Sequence, residues 1–511
     1  MTQKAVQVQE TFKEVSPSDF FYMNRDIAGF TNPSRAIYTS IRELLENSLD
    51  ATLVARIPPE IYLRISLERE VAAGEVYTLH IEDNGCGIPK DVIPLAFGKV
   101  LFGSKYSLKQ TRGTFGLGGK MAILYGQITT HQPVHVISST GGAKVHEYIL
   151  SIDIQKNEPI IKRHRVHRNK HHWHGTVIDL QTEGDFSRVQ SRVIEYLKQT
   201  AIVVPSANII FIDPKGGFYV FKRATTDLPK PPQETNPHPY GVDVETIQRM
   251  TQGTKTRTMH EFMRRHFQRV GPKIADNFLS HAGVNRRKNP SKLTSKEIVD
   301  LVNALKCYNR FLPPDASCLS PIGEDLLEVG IKKEFSPEFV AACQRKPSSY
   351  SGYPFIVEAG IAYGGVIPKS EKPILYRFAN HIPLLFDEGS DVASKVINES
   401  VDWRHYKISS EAPIAIFTHI CSIKIPYKTV GKEFVADRPE VERELTLAIR
   451  EVARRLSIYL SRQFKIKHEK ERLTVFQMYL PKIATFATKL AGKKKELNIK
   501  PLLKQIRKYS D

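Results

Sequence analysis

The chain has 511 residues, enough for about three domains, and its 74 Lys and Arg against 54 Asp and Glu give a net charge of +20. Five scattered cysteines with no paired short spacing argue against a disulfide framework or a zinc site and lead us to expect a reducing, cytoplasmic setting. No apolar run is long enough to span a bilayer, and the polar start Met1-Thr2-Gln3-Lys4 is not a secretory signal, so no membrane partner is expected.

The first informative element is Ser34 to Ala51, where Ile37, Ile41, Leu44, Leu45 and Leu49 recur at helical spacing. Asn32 is placed to cap this helix, with Pro33 at its first position. Glu43 and Asn47 stand four apart and project from one face. Such a pair can divide a phosphate reaction: the carboxylate orients and deprotonates a water, and the amide oxygen holds Mg²⁺. The same pattern also fits an amphipathic helix with a solvated polar stripe.

Tyr77 to Ile81 alternates like a half-buried strand and delivers Asp83 into Asn84-Gly85-Cys86-Gly87. Asp83 there could read the exocyclic amine of adenine, or simply close a tight turn. Further on, Gly113-x-x-Gly116-x-Gly118-Gly119-Lys120 opens the apolar run Met121 to Leu124, so backbone N–H groups at a helix entrance could meet a phosphate, with Lys105 and Lys120 adding charge. It is not a Walker A loop, because Gly-Lys-Ser/Thr is absent, and no convincing Rossmann context surrounds it. Gly175-Thr176 then leads the strand Val177 to Leu180. The histidines between 164 and 174 lie in an Arg/Lys-rich stretch without supporting carboxylates or cysteines, which reads as a solvated hairpin rather than a metal site.

Lys230-Pro231-Pro232 to Pro239 reads as a linker, and a helical, basic segment follows to about Arg310. Strand-like runs such as Ile414 to Phe417 and a long helical pattern from Val441 to Leu460 come next. Residues 244–300 carry a net +7 and residues 461–511 a net +10, leaving only +3 for the other 403. Such clustering is the footprint expected for a DNA backbone, although solvated helix faces would also produce it.

Together the segments Arg42 to Ala51, Asp83 to Gly87, Gly113 to Lys120 and His174 to Thr176 resemble the N, G1, G2 and G3 boxes of the GHKL ATPases. Longer strings, Gln110-Thr111-Arg112-Gly113, Pro237-His238-Pro239-Tyr240-Gly241, Gly352 to Gly360 and Lys424 to Lys428, are similar to the B-subunit family of type IIB DNA topoisomerases (topoisomerase VI), over nearly the whole chain. The resemblance implies a multi-domain α/β fold: a GHKL (Bergerat) α/β sandwich over 1–229, a small helix-two-turn-helix domain over 230–314, a βαβ transducer over 315–460 and a basic helical tail over 461–511. It implies Glu43 as general base, Asn47 as Mg²⁺ ligand and Asp83 as adenine reader. Ser104, Lys105 and the run Gly113, Thr114, Phe115, Gly116, Leu117, Gly118, Gly119 and Lys120 would form a phosphate-covering lid, with Thr176 in the base pocket. Lys432 would be the switch lysine reaching the γ-phosphate from the transducer. Two positions depart from the family pattern: Gly119 stands where a larger apolar residue is usual, and Trp403-Arg404-His405-Tyr406 carries Arg for Lys in a motif suspected of touching bent DNA. The implied activity is an ATP-gated clamp around a DNA duplex. Two B subunits would dimerise on ATP within a heterotetramer with two DNA-cleaving A subunits. A MutL-like ATPase, a GHKL protein kinase and a clamp that binds nucleotide without hydrolysing it are the alternatives.

Overall fold

In the computed structural model the described residues are 15–71, 74–103, 108–113, 117–408, 411–428, 432–492 and 498–502. Ser104, Lys105, Thr114, Phe115 and Gly116 lie outside them. After the short helix α1 (Pro17–Met23), helix α2 runs Pro33–Ala55 and starts where the sequence places it: Asn32 Oδ1 accepts from the N–H of Arg35 at 2.8 Å.

An eight-stranded sheet follows: β1 (Glu60–Val71), β2 (Gly74–Asp83), β3 (Val134–Thr140), β4 (Lys144–Asp153), β5 (Glu158–Arg168), β6 (His174–Gly184), β7 (Asn208–Ile212) and β8 (Phe218–Phe221). Their spatial order is β5-β4-β3-β6-β2-β1-β7-β8, antiparallel except for the β1–β7 pair. Burial alternates along β2 and β6, as one covered face requires. Helix α2, the short α3 (Ile93–Gly98), α4 (Gly118–Thr130) and α5 (Phe186–Val203) lie on that face, and Ile41, Leu45, Leu79, Leu124, Leu180 and Leu197 are among the residues of the common core. The histidine-rich stretch covers the end of β5, an edge strand exposed along nearly its whole length, and the connection into β6. The two strands are not neighbours, so the stretch is a crossover rather than the expected hairpin.

Helices α6 (Val244–Gly253), α7 (Met259–His266), α8 (Pro272–His281) and α9 (Ser295–Cys307) build a separate small core around Phe262, Phe278 and Leu301. Each is started by a defined device: Asp243 and Thr258 cap α6 and α7, Pro272 opens α8, and Thr294 with Glu297 makes a capping box on α9. Arg264, Arg265, Arg286 and Arg287 stay on its surface.

Helix α10 (Glu324–Phe335) lies between the two sheets, and Gly330 lets it approach closely, because a Cβ there would sit 1.9 Å from the Ile202 carbonyl oxygen of α5. The second sheet comprises β9 (Phe339–Gln344), β10 (Ser348–Tyr350), β11 (Tyr353–Tyr363), β12 (Ile374–Ala379), β13 (Ile382–Pro383) and β14 (Ile414–Ser422). Its order is β10-β11-β14-β12-β13, with β9 also paired to β11 and with β12 parallel to β14. The connection between β12 and β14 carries α11 (Val392–Lys395) and a 3-10 turn at Trp403–Tyr406. Every residue of β14 is buried.

Helix α12 runs unbroken from Pro439 to Leu490. It passes through position 460, where the sequence suggests a border between transducer and tail; charge changes there, but the backbone does not. Its first part is buried against the second sheet from Val441 to Leu456, and the rest extends outward, so the 52-residue helix is roughly 78 Å long.

Candidate nucleotide site

The site is built where α2 crosses the end of β2 and the start of α4. Ile41, Leu44, Leu45 and Leu49 bury one side of α2, which turns Glu43 and Asn47 toward the opening of α4. Glu43 is 8% exposed, whereas Asn47, one turn later, is exposed. The Glu43 carboxylate accepts from Arg42 Nη2 at 2.9 Å; Arg42 also faces Glu46 at 3.6 Å, and the Tyr196 hydroxyl donates to Glu46 at 3.2 Å. Arg42, Glu46 and Tyr196 carry no signature of their own in sequence. Glu46 is hidden by its place among the apolar residues of α2, and Tyr196 by its distance along the chain.

Helix α4 begins at Gly118, and its N-cap residue, Leu117, makes no side-chain capping bond. That arrangement leaves backbone donors and the positive end of the helix facing the Glu43–Asn47 wall, which suits a phosphate. The fit is close. A Cβ on Gly118 would lie 1.7 Å from Glu43 Oε2, and one on Gly119 would lie 2.9 Å from Asn47 Nδ2. Glycine at 118 is therefore required by the carboxylate beside it. Lys120 is buried and its ammonium donates to the Phe102 carbonyl, closing the base of the segment between 102 and 120 rather than projecting outward.

At the other end β2 and β6 pair Asp83 with Thr176. Asp83 Oδ1 accepts from the Gly85 N–H at 2.8 Å, and the Ser48 hydroxyl and the Thr176 backbone also bond to its carboxylate. Burial outweighs these bonds and pushes the Asp83 carboxyl up to about 6. Thr176 Oγ1 lies 3.1 Å from Ser138 Oγ, and the Ser138 hydroxyl also accepts from the Ile88 N–H at 2.9 Å. Gly175, at φ +138°, admits the Asp83 carbonyl oxygen where a Cβ would be 2.0 Å away. His174 Nδ1 reaches the Gly85 carbonyl at 2.8 Å, so the Asp83 and Thr176 segments form one unit. Ser48 and Ser138 leave no signal in the sequence, since a serine near an acid is too common a pattern to stand out.

Lys432 arrives from the second sheet's domain. Its Nζ donates to the Arg112 carbonyl at 3.1 Å and stands 3.6 Å from Glu46 Oε2 and 3.9 Å from Glu43 Oε1. It holds φ +55°, a strained conformation for a lysine, and strain of this kind clusters at functional sites. Arg112 pairs with Asp50 of α2 at 2.9 Å, and Gly113 beside it is buried. Structure therefore brings Glu43, Asn47, Gly118, Gly119 and Lys432 to one end, and Asp83 and Thr176 to the other. Among the described residues no group of three or more His, Cys, Asp or Glu could hold a metal alone. Asn47 at the mouth would be a single side-chain ligand, which suits Mg²⁺, an ion usually held by one or two protein groups plus phosphates and water.

Two family models match: "Histidine kinase-, DNA gyrase B-, and HSP90-like ATPase" over 32–154 and "Topoisomerase VI B subunit, transducer" over 314–472. The B subunit of type 2 DNA topoisomerase 6 from Sulfurisphaera tokodaii is 45% identical over 478 residues, covering 93% of this chain and 90% of that one. Its counterpart from Saccharolobus islandicus is 45% identical over 493 residues, covering 96% and 92%. At that identity over nine-tenths of its length, the chain belongs to the family of type 2 DNA topoisomerase 6 B subunits.

Proposed function

We propose that this chain is the ATP-binding and hydrolysing subunit of a type IIB DNA topoisomerase, an ATP-dependent type II enzyme. The observation that carries the reading is the position of Lys432: a cation from the second sheet's domain stands beside Glu43 and on the root of the glycine-rich segment. A site assembled from two domains can report the presence of a γ-phosphate by how they close.

In this reading Glu43 orients and deprotonates the attacking water, and Arg42 and Lys432 limit the cost of keeping its carboxylate charged. Asn47 would hold Mg²⁺, which when bound neutralises charge on the phosphates. Gly113 to Lys120, with Ser104 and Lys105, would cover those phosphates. Asp83 and Thr176 would hold the adenine end, with Asp83 as acceptor for its amine. Lys432 would leave the Arg112 carbonyl for the γ-phosphate, closing two copies into a dimer around DNA.

The working division is a GHKL domain over 1–229, a helix-two-turn-helix domain over 230–314, a transducer over 315–460 and the basic tail beyond. Exposed Arg264, Arg265, Arg286 and Arg287, together with Arg404 on its exposed turn, support a DNA partner. The outer half of α12 exposes Phe464, Phe476, Ile483, Phe486 and Leu490, and this apolar stripe supports docking of an A subunit. A complex of two A and two B subunits in the cytoplasm is the arrangement proposed. The test is direct: with an A subunit and Mg²⁺–ATP the chain should relax supercoiled plasmid, and alone it should hydrolyse ATP, dimerise with a non-hydrolysable analogue and leave plasmid unrelaxed. Failure to hydrolyse ATP, or relaxation without an A subunit, overturns the reading.

A further inference from the structure

The β12–β13 hairpin turns on two residues, Asn380 and His381, because Ala379 pairs directly with Ile382. Both have positive φ, +48° and +63°, as in the type I′ turn that favours glycine at its second place. Histidine is a poor choice for that place, and at 4% exposure its polar ring must also be bonded. What it gains lies outside the hairpin. His381 Nε2 donates to the Ser320 carbonyl at 2.8 Å, and the His381 backbone N–H donates to His419 Nε2 at 3.0 Å. A backbone N–H can only donate, so His419 carries its proton on Nδ1, which donates to Glu358 Oε2 at 2.7 Å. Glu358 in turn accepts from the N–H groups of Ile322 and Gly323, at 2.9 and 2.6 Å.

This buried chain ends on the glycine-rich segment of the nucleotide site. Gln110 clasps Ser320 with both amide atoms: its Nε2 donates to the Ser320 carbonyl at 3.0 Å and its Oε1 accepts from the Ser320 N–H at 2.7 Å. Asn380 Nδ2 donates to the Thr111 carbonyl at 3.2 Å, and Asn380 is fixed in place by two bonds to the Ser422 backbone at 3.0 Å. Thr111 and Gln110 immediately precede Arg112, whose carbonyl holds Lys432.

The geometry points to the Asn380-His381 turn as a positioning element that fixes the root of the glycine-rich segment, Gln110 to Arg112, to the second sheet. A change at the phosphates is thereby carried to the rest of the molecule. The inference rests on the proposed ATP-gated function. If Lys432 turns to a phosphate, its bond to the Arg112 carbonyl is lost, yet the Gln110–Ser320 and Asn380–Thr111 bonds do not involve the lysine. Those bonds persist, and root and sheet move as one body. His381 sets where Ser320 stands, and Asn380 sets where Thr111 stands.

The experiment uses the complex of this chain with an A subunit, comparing wild type with His381→Gly and Asn380→Asp. Glycine relieves the left-handed strain of the turn but leaves the space of a buried imidazole empty and takes one of two donors from the Ser320 carbonyl, so His381→Gly should fold with a modestly lower Tm. Aspartate tolerates the left-handed turn and still accepts from the Ser422 N–H, but it has no N–H for the Thr111 carbonyl and loses the bond donated to the Ser422 carbonyl with it. In both variants ATP hydrolysis without DNA should stay within about twofold of wild type, while DNA-stimulated hydrolysis and plasmid relaxation fall about tenfold, a mid-range coupling between sites. Wild type separates the two readings. If wild type neither hydrolyses ATP nor relaxes plasmid, the proposed function fails. If wild type does both and either folded variant relaxes plasmid equally well, the positioning role is overturned. It is also overturned if hydrolysis and relaxation fall together in proportion to Tm, the mark of a merely structural turn.

Discussion

On the open face of the first sheet, His80 and His135 hold Asp179 at 2.7 and 2.9 Å, all three part-exposed; within the second sheet, His419 holds Glu358 at 2.7 Å with both sealed from solvent. The chemistry is the same and the setting is not. On the open face the chain of pairs continues outward to Glu147 and His167, and water can replace any member. Burial works against the Asp179 charge, yet the two imidazoles together hold its carboxyl well below the usual range. In the second sheet, removing one partner would leave an uncompensated buried group, which costs several kcal/mol. The first sheet therefore tolerates polar residues as ornament on one face and reserves its other face for α2 and α4. The second sheet is a stiffer frame, in which buried Glu358, His419 and Asn380 are bonded to one another or to fixed backbone groups. Residues of the first region should set chemistry and binding, and residues of the second should set when that chemistry is coupled to shape.

The sharpest way to break this division is Glu43→Ala. Loss of a positioned acid–base group typically costs about 10²-fold or more in rate. ATP binding should survive, because the helix entrance at Gly118 and the Asp83 end remain. Phosphate release and equilibrium nucleotide binding, measured side by side, check it, and full turnover would remove Glu43 from its role.

Lys432→Ala tests the contribution of the second region to the same site. Turnover should fall about tenfold or more, since one charge-stabilising donor is lost. ADP affinity should change little, because the lysine is proposed to touch only the γ-phosphate. Equal losses of ADP and ATP affinity would instead mark Lys432 as a brace for Glu43 and Glu46.

The two regions also differ in how far sequence describes them. Helix α2, its Asn32 cap, β2 and the strand at Val177 are legible because their spacing is local. The lysine is visible only through family resemblance, for nothing in Lys432-Glu433 itself points to Glu43. Asn380-His381 carries no signal of its own in the sequence. Its partners Thr111 and Ser320 lie far away along the chain, and no periodicity encodes such a pairing. The outward continuation of α12 is legible in helix-forming composition, and position 460, the proposed border with the basic tail, lies within this one helix. Even Pro481 lies inside the helix.

Asp83→Asn sharpens the first region. The Asp83 carboxyl titrates at about 6 in the folded chain against an ordinary 3.8, so its burial disfavours the charged form by roughly 3 kcal/mol. Folding favours the protonated acid: this contribution to stability is complete below pH 3.8 and is lost as pH rises through about 6. Asparagine cannot ionise, so the variant should be at least as stable as wild type at about pH 7.5 while ATP affinity falls about tenfold or less, the loss of one hydrogen bond to a charged acceptor. In wild type the same loss should appear as pH drops below about 6. Thermal melts and ATP titrations at about pH 5.5 and about pH 7.5, on either side of that value, separate stability from binding. An ATP affinity that does not change across that interval would take the base-reading role away from Asp83.

The smallest effect belongs to Gly119→Ala, at the position where the family resemblance implies a larger apolar residue. The new Cβ would approach Asn47 Nδ2 to 2.9 Å, and an amide at the end of a flexible side chain can move aside at little cost. Alanine in the first turn of α4 also recovers part of the roughly 1 kcal/mol by which glycine weakens a helix. Tm should therefore rise slightly. Because the displaced group is the proposed Mg²⁺ ligand, Mg²⁺-dependent ATP affinity should fall by a few-fold, while binding without Mg²⁺ stays the same. A rise in Tm with unchanged Mg²⁺ dependence would show that Asn47 does not hold the ion, and the division of labour on α2 would then rest on Glu43 alone.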